Sequence, residues 1–426
     1  MNDACDVVQG DVLVEDGRIV RVGDVGDAEA ALVINCGGNY LLPGFVQTHV
    51  HLCQTLFRGY ADDLALLDWL KQRIWPMEAA HTPASLAAAA RLAAAELLLG
   101  GTTTVLTMET VHDTDAVFEA LGPMGLRAVV GKCMMDADPA VPSRLLEQTT
   151  ASIDESLALH ARWHGAANGR LQAAFAPRFA VSCSKALLEG VAALSRERGL
   201  LVHTHASENR DEIALVRERT GMANVAYLDS LGLASPRLCL AHCVWVDDAE
   251  QQLLAARRVN VLHCPGSNLK LASGIAPVTE MRARGISVSL GADGAACNNH
   301  LDMFTEMRLA AGLQAITRGP GALTARDVLT MATRGGAHAL GLGGEIGSIE
   351  PARRADLIVV DRDRPHLATA PDPISAIVYA ARPSDVRLTM VDGTIVVRDF
   401  QLTTADHTAL AADAATQARE LARRAL

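Results

Sequence analysis

The chain has 426 residues, 50% of them hydrophobic and 20% charged, a composition that excludes a disordered protein and supplies ample material for a core. Its 38 basic and 49 acidic residues give a net charge of −11, so the basic footprint of a duplex-binding protein is missing and no nucleic-acid partner is expected. No apolar run approaches the roughly eighteen residues of a membrane span, the opening residues Met1-Asn2-Asp3-Ala4-Cys5-Asp6 lack a signal pattern, and the nine cysteines are scattered without a CxxC pair; a cytoplasmic protein with reduced thiols and no membrane partner is expected.

The first elements read as strands. Asp11–Glu15 and Arg18–Val22 flank Asp16-Gly17, a strong hairpin signal, and Leu32–Cys36 reads as a further strand. The middle alternates short apolar runs with long Ala/Leu-rich helical stretches such as Pro83–Gly100 and Lys185–Gly199, each closed by glycine. The runs are Gly44–His49, Thr102–Met108, Leu126–Lys132, Leu171–Ala176, Leu200–His205, Arg237–His242, Val259–His263 and Ile286–Gly291. Eight βα units predict an α/β fold, a (β/α)₈ TIM barrel over 44–349, with a doubly wound open sheet as the alternative. Polar residues favour the barrel. Nearly every run ends in a chemically capable side chain, and only a barrel gathers such ends at one mouth. The far end is strand-like again: Asp356–Val360, Val386–Val391 and Thr394–Val397, with Asp392-Gly393 between the last two. Residues 1–43 and 350–426 are therefore expected to build one composite β-sandwich domain, followed by a surface helix over Thr408–Leu426.

The strongest local signal is His49-Val50-His51. Alternate residues of a strand point the same way, so both imidazoles can reach one ion. His205 opens His205-Ala206-Ser207-Glu208 at the end of the fifth run, His242 closes the sixth and Asp293 follows the eighth. His49, His51, His205 and Asp293 make a site for one divalent cation, zinc or iron, with room for water. Glu208 is placed to shuttle protons, and His242 to hold the attacking water or the developing oxyanion. His203 shares the face of His205 and is the alternative ligand; His205 is preferred for its place at the strand end and its spacing to Glu208. His263 reads as pocket-lining or structural. Phe175-Ala176-Pro177-Arg178 ends the fourth run without the lysine that could bridge two metals, so a mononuclear centre is expected. Gly341–Gly347 misses dinucleotide-binding spacing.

With these motifs the chain resembles the amidohydrolase superfamily. It is most similar to the branch holding S-adenosylhomocysteine/5′-methylthioadenosine deaminases, 5′-deoxyadenosine deaminases, guanine deaminases and triazine hydrolases. The resemblance is carried by Leu42-Pro43-Gly44-Phe45 leading into the HxH, Thr55–Asp63, Asp68-Trp69-Leu70 with Trp75-Pro76-Met77-Glu78, Ser267–Leu271 and Gly291–Asn299. It implies hydrolytic deamination of an amino-substituted heterocycle, most of all a purine nucleoside: hydroxide attacks the ring carbon, ammonia leaves, and Glu208, His242 and Asp293 carry the catalysis. It also implies that Trp69 packs on a small heterocyclic substrate, that Glu78 binds ribose hydroxyls, that Lys132 and Arg144 match carboxylate-binding arginines, and that a homodimer is formed. Arg178 stands where the adenosine-type enzymes carry a histidine after proline, and suggests a guanine- or oxopurine-type base. A triazine-type release of chloride or alkylamine is a further alternative, and a catalytically silent scaffold the alternative from another class.

Overall fold

The computed structural model describes every residue except Met1, Asp3, Pro139 and Leu426. The chain opens with the antiparallel hairpin β1 (Asp11–Glu15) and β2 (Arg18–Gly23). Asp16 and Gly17 between them sit at φ 48° and 77°, as a type I′ turn requires. The strand expected at Leu32–Cys36 does not form: that segment is irregular, with Leu32 56% and Val33 81% exposed. Among the described residues no strand pairs with it to supply hydrogen bonds that would offset the entropy of fixing it. The N-terminal strand that does join a larger sheet is β3 (Tyr40–Pro43).

The eight apolar runs all become parallel strands: β4 (Phe45–His51), β5 (Thr102–Met108), β6 (Arg127–Met134), β7 (Leu171–Pro177), β8 (Val202–Ala206), β9 (Leu238–His242), β10 (Asn260–His263) and β11 (Ser287–Leu290). A two-residue strand, β12 (Asp293–Gly294), continues the last of them. β11 pairs with β10, whereas β12 pairs with β4, Asp293 opposite Val50. The eighth strand is thus split in two, and its second half closes the ring that an open sheet would leave unpaired. Thr48 Oγ1 reinforces the closure, donating to Leu290 O at 3.0 Å. Val46, Leu106, Val129, Ala174, Cys239, Ala241 and Leu262 pack together as the apolar filling contributed by successive strands.

The C-terminal strands are β13 (Leu357–Val360), β14 (Val386–Val391), β15 (Thr394–Arg398) and β16 (Gln401–Leu402). They form an antiparallel sheet of order β16-β15-β14-β13-β3, so both ends of the chain share one sheet. The β1–β2 hairpin docks beside it, Ile19 N donating to Arg353 O and Ala355 N to Gly17 O, both at 2.8 Å. A buried fork from Arg127 to Asp356 (2.8 and 3.0 Å) ties the start of β6 to the entry of β13. The last helix, His407–Ala425, packs on the helix Pro83–Leu99 and buries Ala414 and Leu421. Full burial of Leu421 is worth about 1.5–3 kcal/mol. Among the described residues no single helix is long and apolar enough to cross a membrane.

Candidate active site

Parallel strands end on one face of the barrel, and that is where the sequence put its polar side chains. His49 and His51 stand on β4, His205 on β8, His242 closes β9 and Asp293 opens β12. Asp293 Oδ1 lies 3.2 Å from His49 Nε2 and 3.3 Å from His51 Nε2, and His51 Nε2 lies 3.3 Å from His205 Nε2. The other ring nitrogens are already engaged. His51 Nδ1 donates to Met108 O at 2.8 Å and His205 Nδ1 to Arg178 O at 2.7 Å. A carbonyl can only accept, so both rings carry their proton on Nδ1 and turn a lone pair on Nε2 inward. His49 Nδ1 meets His203 Nε2 at 2.6 Å, and His49 Nε2 is buried with Asp293 Oδ1 near it but no well-aligned hydrogen bond.

An orphaned buried imidazole nitrogen, two further inward lone pairs and a carboxylate oxygen fit a divalent cation, and little else would satisfy them. Charge favours the same conclusion. Burial pushes His49 down to about 4, and His205 and His203 well below the usual histidine value, so these three imidazoles stay neutral. Burial opposes ionisation of Asp293, but the surrounding histidines outweigh it and hold the carboxyl well below its usual value. His49, His51 and Asp293 offer three atoms close enough to share one ion, and His205 Nε2 stands beside them, 3.3 Å from His51 Nε2. A second grouping, His49, His205 and His242, is also close enough to share a ligand.

The acid–base residues stand beside this cluster. Glu208 Oε2 is 3.5 Å from His242 Nε2, which is 3.8 Å from Asp293 Oδ2. Burial raises the Glu208 carboxyl, partly offset by His242. Burial works against a charged His242, but Glu208 and Asp293 outweigh it and raise its pKa. Ser207, His242 and Asp293 hold positive φ of 55°, 73° and 64°, a concentration of backbone strain at the strand ends. Around these groups lies a cleft of about 420 Å³. Its polar lining is His51, Arg178, His205, Glu208, Glu212, His242 and Asp293; its apolar lining is Leu66, Trp69, Leu70, Phe179 and Leu271.

The remaining expectations separate. Trp69 lines the cleft, and its indole N–H has no partner. Arg178 lines it too, but its guanidinium forks onto Glu78 (2.5 and 3.2 Å), and Gln54 Nε2 donates to the same carboxylate at 3.1 Å. Glu78 itself is outside the lining. Lys132 is buried 2.6 Å from Glu147 and 3.7 Å from Glu155, and Arg144 is exposed with one amino group on His81 O at 3.2 Å; the structure brings neither into the cleft. His263 is buried next to Cys264 with neither ring nitrogen paired, and burial pushes it down to about 3. Sequence reasoning missed Glu212, which accepts from Glu208 N at 2.9 Å and which burial raises to about 7. Its spacing of four from Glu208, three after the helix cap Asn209, was a signal that could have found it.

Residues 40–396 match the profile of the Amidohydrolase family. A 5′-deoxyadenosine deaminase of Methanothermobacter thermautotrophicus is 43% identical over 404 residues, covering 94% of this chain and 92% of its own length. A 5-methylthioadenosine/S-adenosylhomocysteine deaminase of Desulforudis audaxviator is 40% identical, covering 97% of this chain and 95% of its own. Among solved structures, an adenosine deaminase from Xanthomonas campestris with bound zinc superposes with a TM-score of 0.91 at 36% identity, covering 97% of this chain and 93% of that one. Profile, relatives and barrel agree: the chain belongs to the amidohydrolase family.

Proposed function

We propose that this protein is a metal-dependent hydrolytic deaminase that releases ammonia from an amino-substituted purine nucleoside of the 5′-deoxyadenosine type. The observation that carries the reading is the convergence of three inward imidazole nitrogens and one carboxylate oxygen beside a buried glutamate and histidine. His49, His51, His205 and Asp293 would hold one divalent cation, and an imidazole-rich set with one carboxylate suits zinc. Such an ion supplies Lewis acidity, which makes hydroxide available near neutral pH.

The chain's own residues supply the rest. Glu208, with its raised pKa, takes one proton from the attacking water and delivers it to a ring nitrogen, then takes the second from the hydroxyl formed on the ring carbon and passes it to the departing amine as the carbonyl forms. His242 turns Nε2 toward the attacking oxygen, while Asn268 accepts from its Nδ1. Trp69 offers an apolar face and an unpartnered N–H to the heterocycle. Arg178 is held by Glu78, so among the described residues that line the cleft no lysine or arginine is left unpaired. That lining favours an uncharged 5′ group over an amino-acid tail, and it weakens the argument from Arg178 to an oxo-substituted base.

An ammonia-release assay on metal-analysed protein tests this across adenosine, 5′-deoxyadenosine, 5′-methylthioadenosine, S-adenosylhomocysteine, guanine and a chlorotriazine. Deamination of the first three is expected, with kcat/KM for S-adenosylhomocysteine lower by roughly tenfold. Glu208→Gln should lower turnover roughly 10³-fold, leaving a measurable residual rate, and retain the metal. Chloride release without ammonia, a guanine-only activity, or undiminished turnover in Glu208→Gln would each overturn the reading.

A further inference from the structure

The segment after β10, residues 265–273, touches every acid–base group of the site. Ser267 Oγ donates to Asp293 Oδ2 at 2.7 Å, Asn268 Oδ1 accepts from His242 Nδ1 at 2.9 Å, and Ser273 Oγ donates to Glu208 Oε1 at 3.3 Å. All three side chains are buried, at 0%, 1% and 3% exposure. Bonds inside the segment make it one piece: Leu271 N donates to Ser267 O at 3.0 Å and Ser273 N to Asn268 O at 2.8 Å. Its outer side is anchored. Lys270 Nζ reaches Asp62, Asn299 Oδ1 (2.7 Å) and Ala296 O (3.1 Å), which belong to the loops after the first and last barrel strands. Trp245 Nε1 donates to Ser273 O at 2.7 Å, and its indole lies over Gly274, where a Cβ would come within 2.7 Å of the ring.

From this arrangement we infer that residues 265–273 act as a single positioning element for proton transfer, with Asn268 setting the His242 ring and Ser273 setting the Glu208 carboxylate. The inference rests on the roles given to Glu208 and His242 above. An acceptor on Nδ1 fixes the proton there, so that Nε2 is the atom presented to the reaction. A hydroxyl on Oε1 limits rotation of the Glu208 carboxylate and leaves Oε2, the oxygen nearer His242, as the proton carrier. Neither Asn268 nor Ser273 lines the cleft, so neither is a catalytic residue; each acts through another group.

The test uses the metal-loaded full chain. Ser273→Ala and Asn268→Ala should each lower kcat roughly 10- to 100-fold, with KM within about twofold and metal content unchanged. Ser273→Thr and Asn268→Asp, which restore the hydroxyl and the acceptor, should recover most of the loss. On a Glu208→Gln background, Ser273→Ala should change the residual rate less than about twofold, because the group it positions is gone. The ¹⁵N shifts of His242 should report an Nδ1–H ring in the parent and in Asn268→Asp, and a mixture of tautomers in Asn268→Ala. If Ser273→Ala fails to fold, Ser273→Cys, a weaker donor of the same shape, should show the same loss. Alanine variants with parental kcat, conservative variants no better than alanine, an additive double variant, or an unchanged His242 tautomer would overturn the inference. Failure of the deaminase reading is seen separately, in a parent protein that releases no ammonia.

Discussion

The Glu78–Arg178 pair at the edge of the cleft is a buried ion pair, with both partners almost wholly enclosed, at 3% and 4% exposure. Burial works against the guanidinium, but Glu78 outweighs it and raises its pKa, so Arg178 stays charged under all ordinary conditions. Removing one partner strands the other. In Glu78→Gln the amide must turn its NH₂ toward either the Arg178 fork or Gln54, and about 3–5 kcal/mol of stability should be lost. The double variant Glu78→Leu/Arg178→Met should lose much less than the sum of the single losses, and urea unfolding of all four proteins gives the coupling. An additive result would mean that the pair is not a unit. The same residues show what was legible beforehand. His49, His51, His205, Glu208, His242 and Asp293 stood out because metal and proton chemistry restrict the residue type, and strand ends restrict the place. Lys132 and Arg144 did not join them: the sequence shows a cation but not its neighbours, and Glu147 lies close enough to claim Lys132. Asn268 lay within the Ser267–Leu271 motif but had no role assigned to it, and Ser273 went unmarked, because a buried amide or hydroxyl carries no type-specific signature.

Among the elements, the eight barrel strands were readable as apolar runs with polar ends, and each formed where its run lay. The failure at Leu32–Cys36 has the same physics in reverse, since an apolar run becomes a strand only if a neighbour takes its hydrogen bonds. The split of the eighth strand was not readable, because pairing with two different neighbours is a property of the closed ring. Gly291 sits at that split, and a Cβ there would lie 2.5 Å from His49 O and 2.7 Å from His49 N. Backbone cannot yield as a side-chain tip can, so Gly291→Ala should cost about 1–3 kcal/mol. It should also weaken metal retention, because the displaced strand carries His49. A Cβ at Gly312, inside the helix Met303–Arg318, would meet nothing within 4 Å beyond the adjoining backbone of its own helix, and Gly312→Ala should gain about 0.4–1 kcal/mol. Thermal melts with metal analysis check both, and a neutral Gly291→Ala would show that the strands can separate without cost.

For the whole molecule, stability against pH is set by buried groups on opposite sides of neutrality. His81 is buried between Ser85 Oγ and Cys53 O, and burial pushes it down from 6.5 to about 3. The unfolded chain therefore binds the extra proton between those values, and stability falls as pH drops from 6.5 toward 3. Glu306 lies in the helix Met303–Arg318 and accepts from Gly266 N and Asn298 Nδ2, yet burial raises it from 4.5 to about 8. Here the native state keeps the proton that the unfolded chain gives up, so the stabilisation is complete below pH 4.5 and is lost as pH rises to 8. The net charge of −11 adds a repulsion that also grows with pH, so absolute curves confuse the two effects. The difference between Glu306→Gln and the parent removes the shared part. That difference should be flat below pH 4.5, rise in favour of the variant with a slope approaching about 1.4 kcal/mol per pH unit, and level off above pH 8. Urea unfolding at fixed salt from pH 4 to 9 measures it. A difference that stays constant across that range would mean that Glu306 is ionised in the native protein, and that Gly266 N and Asn298 together compensate its burial.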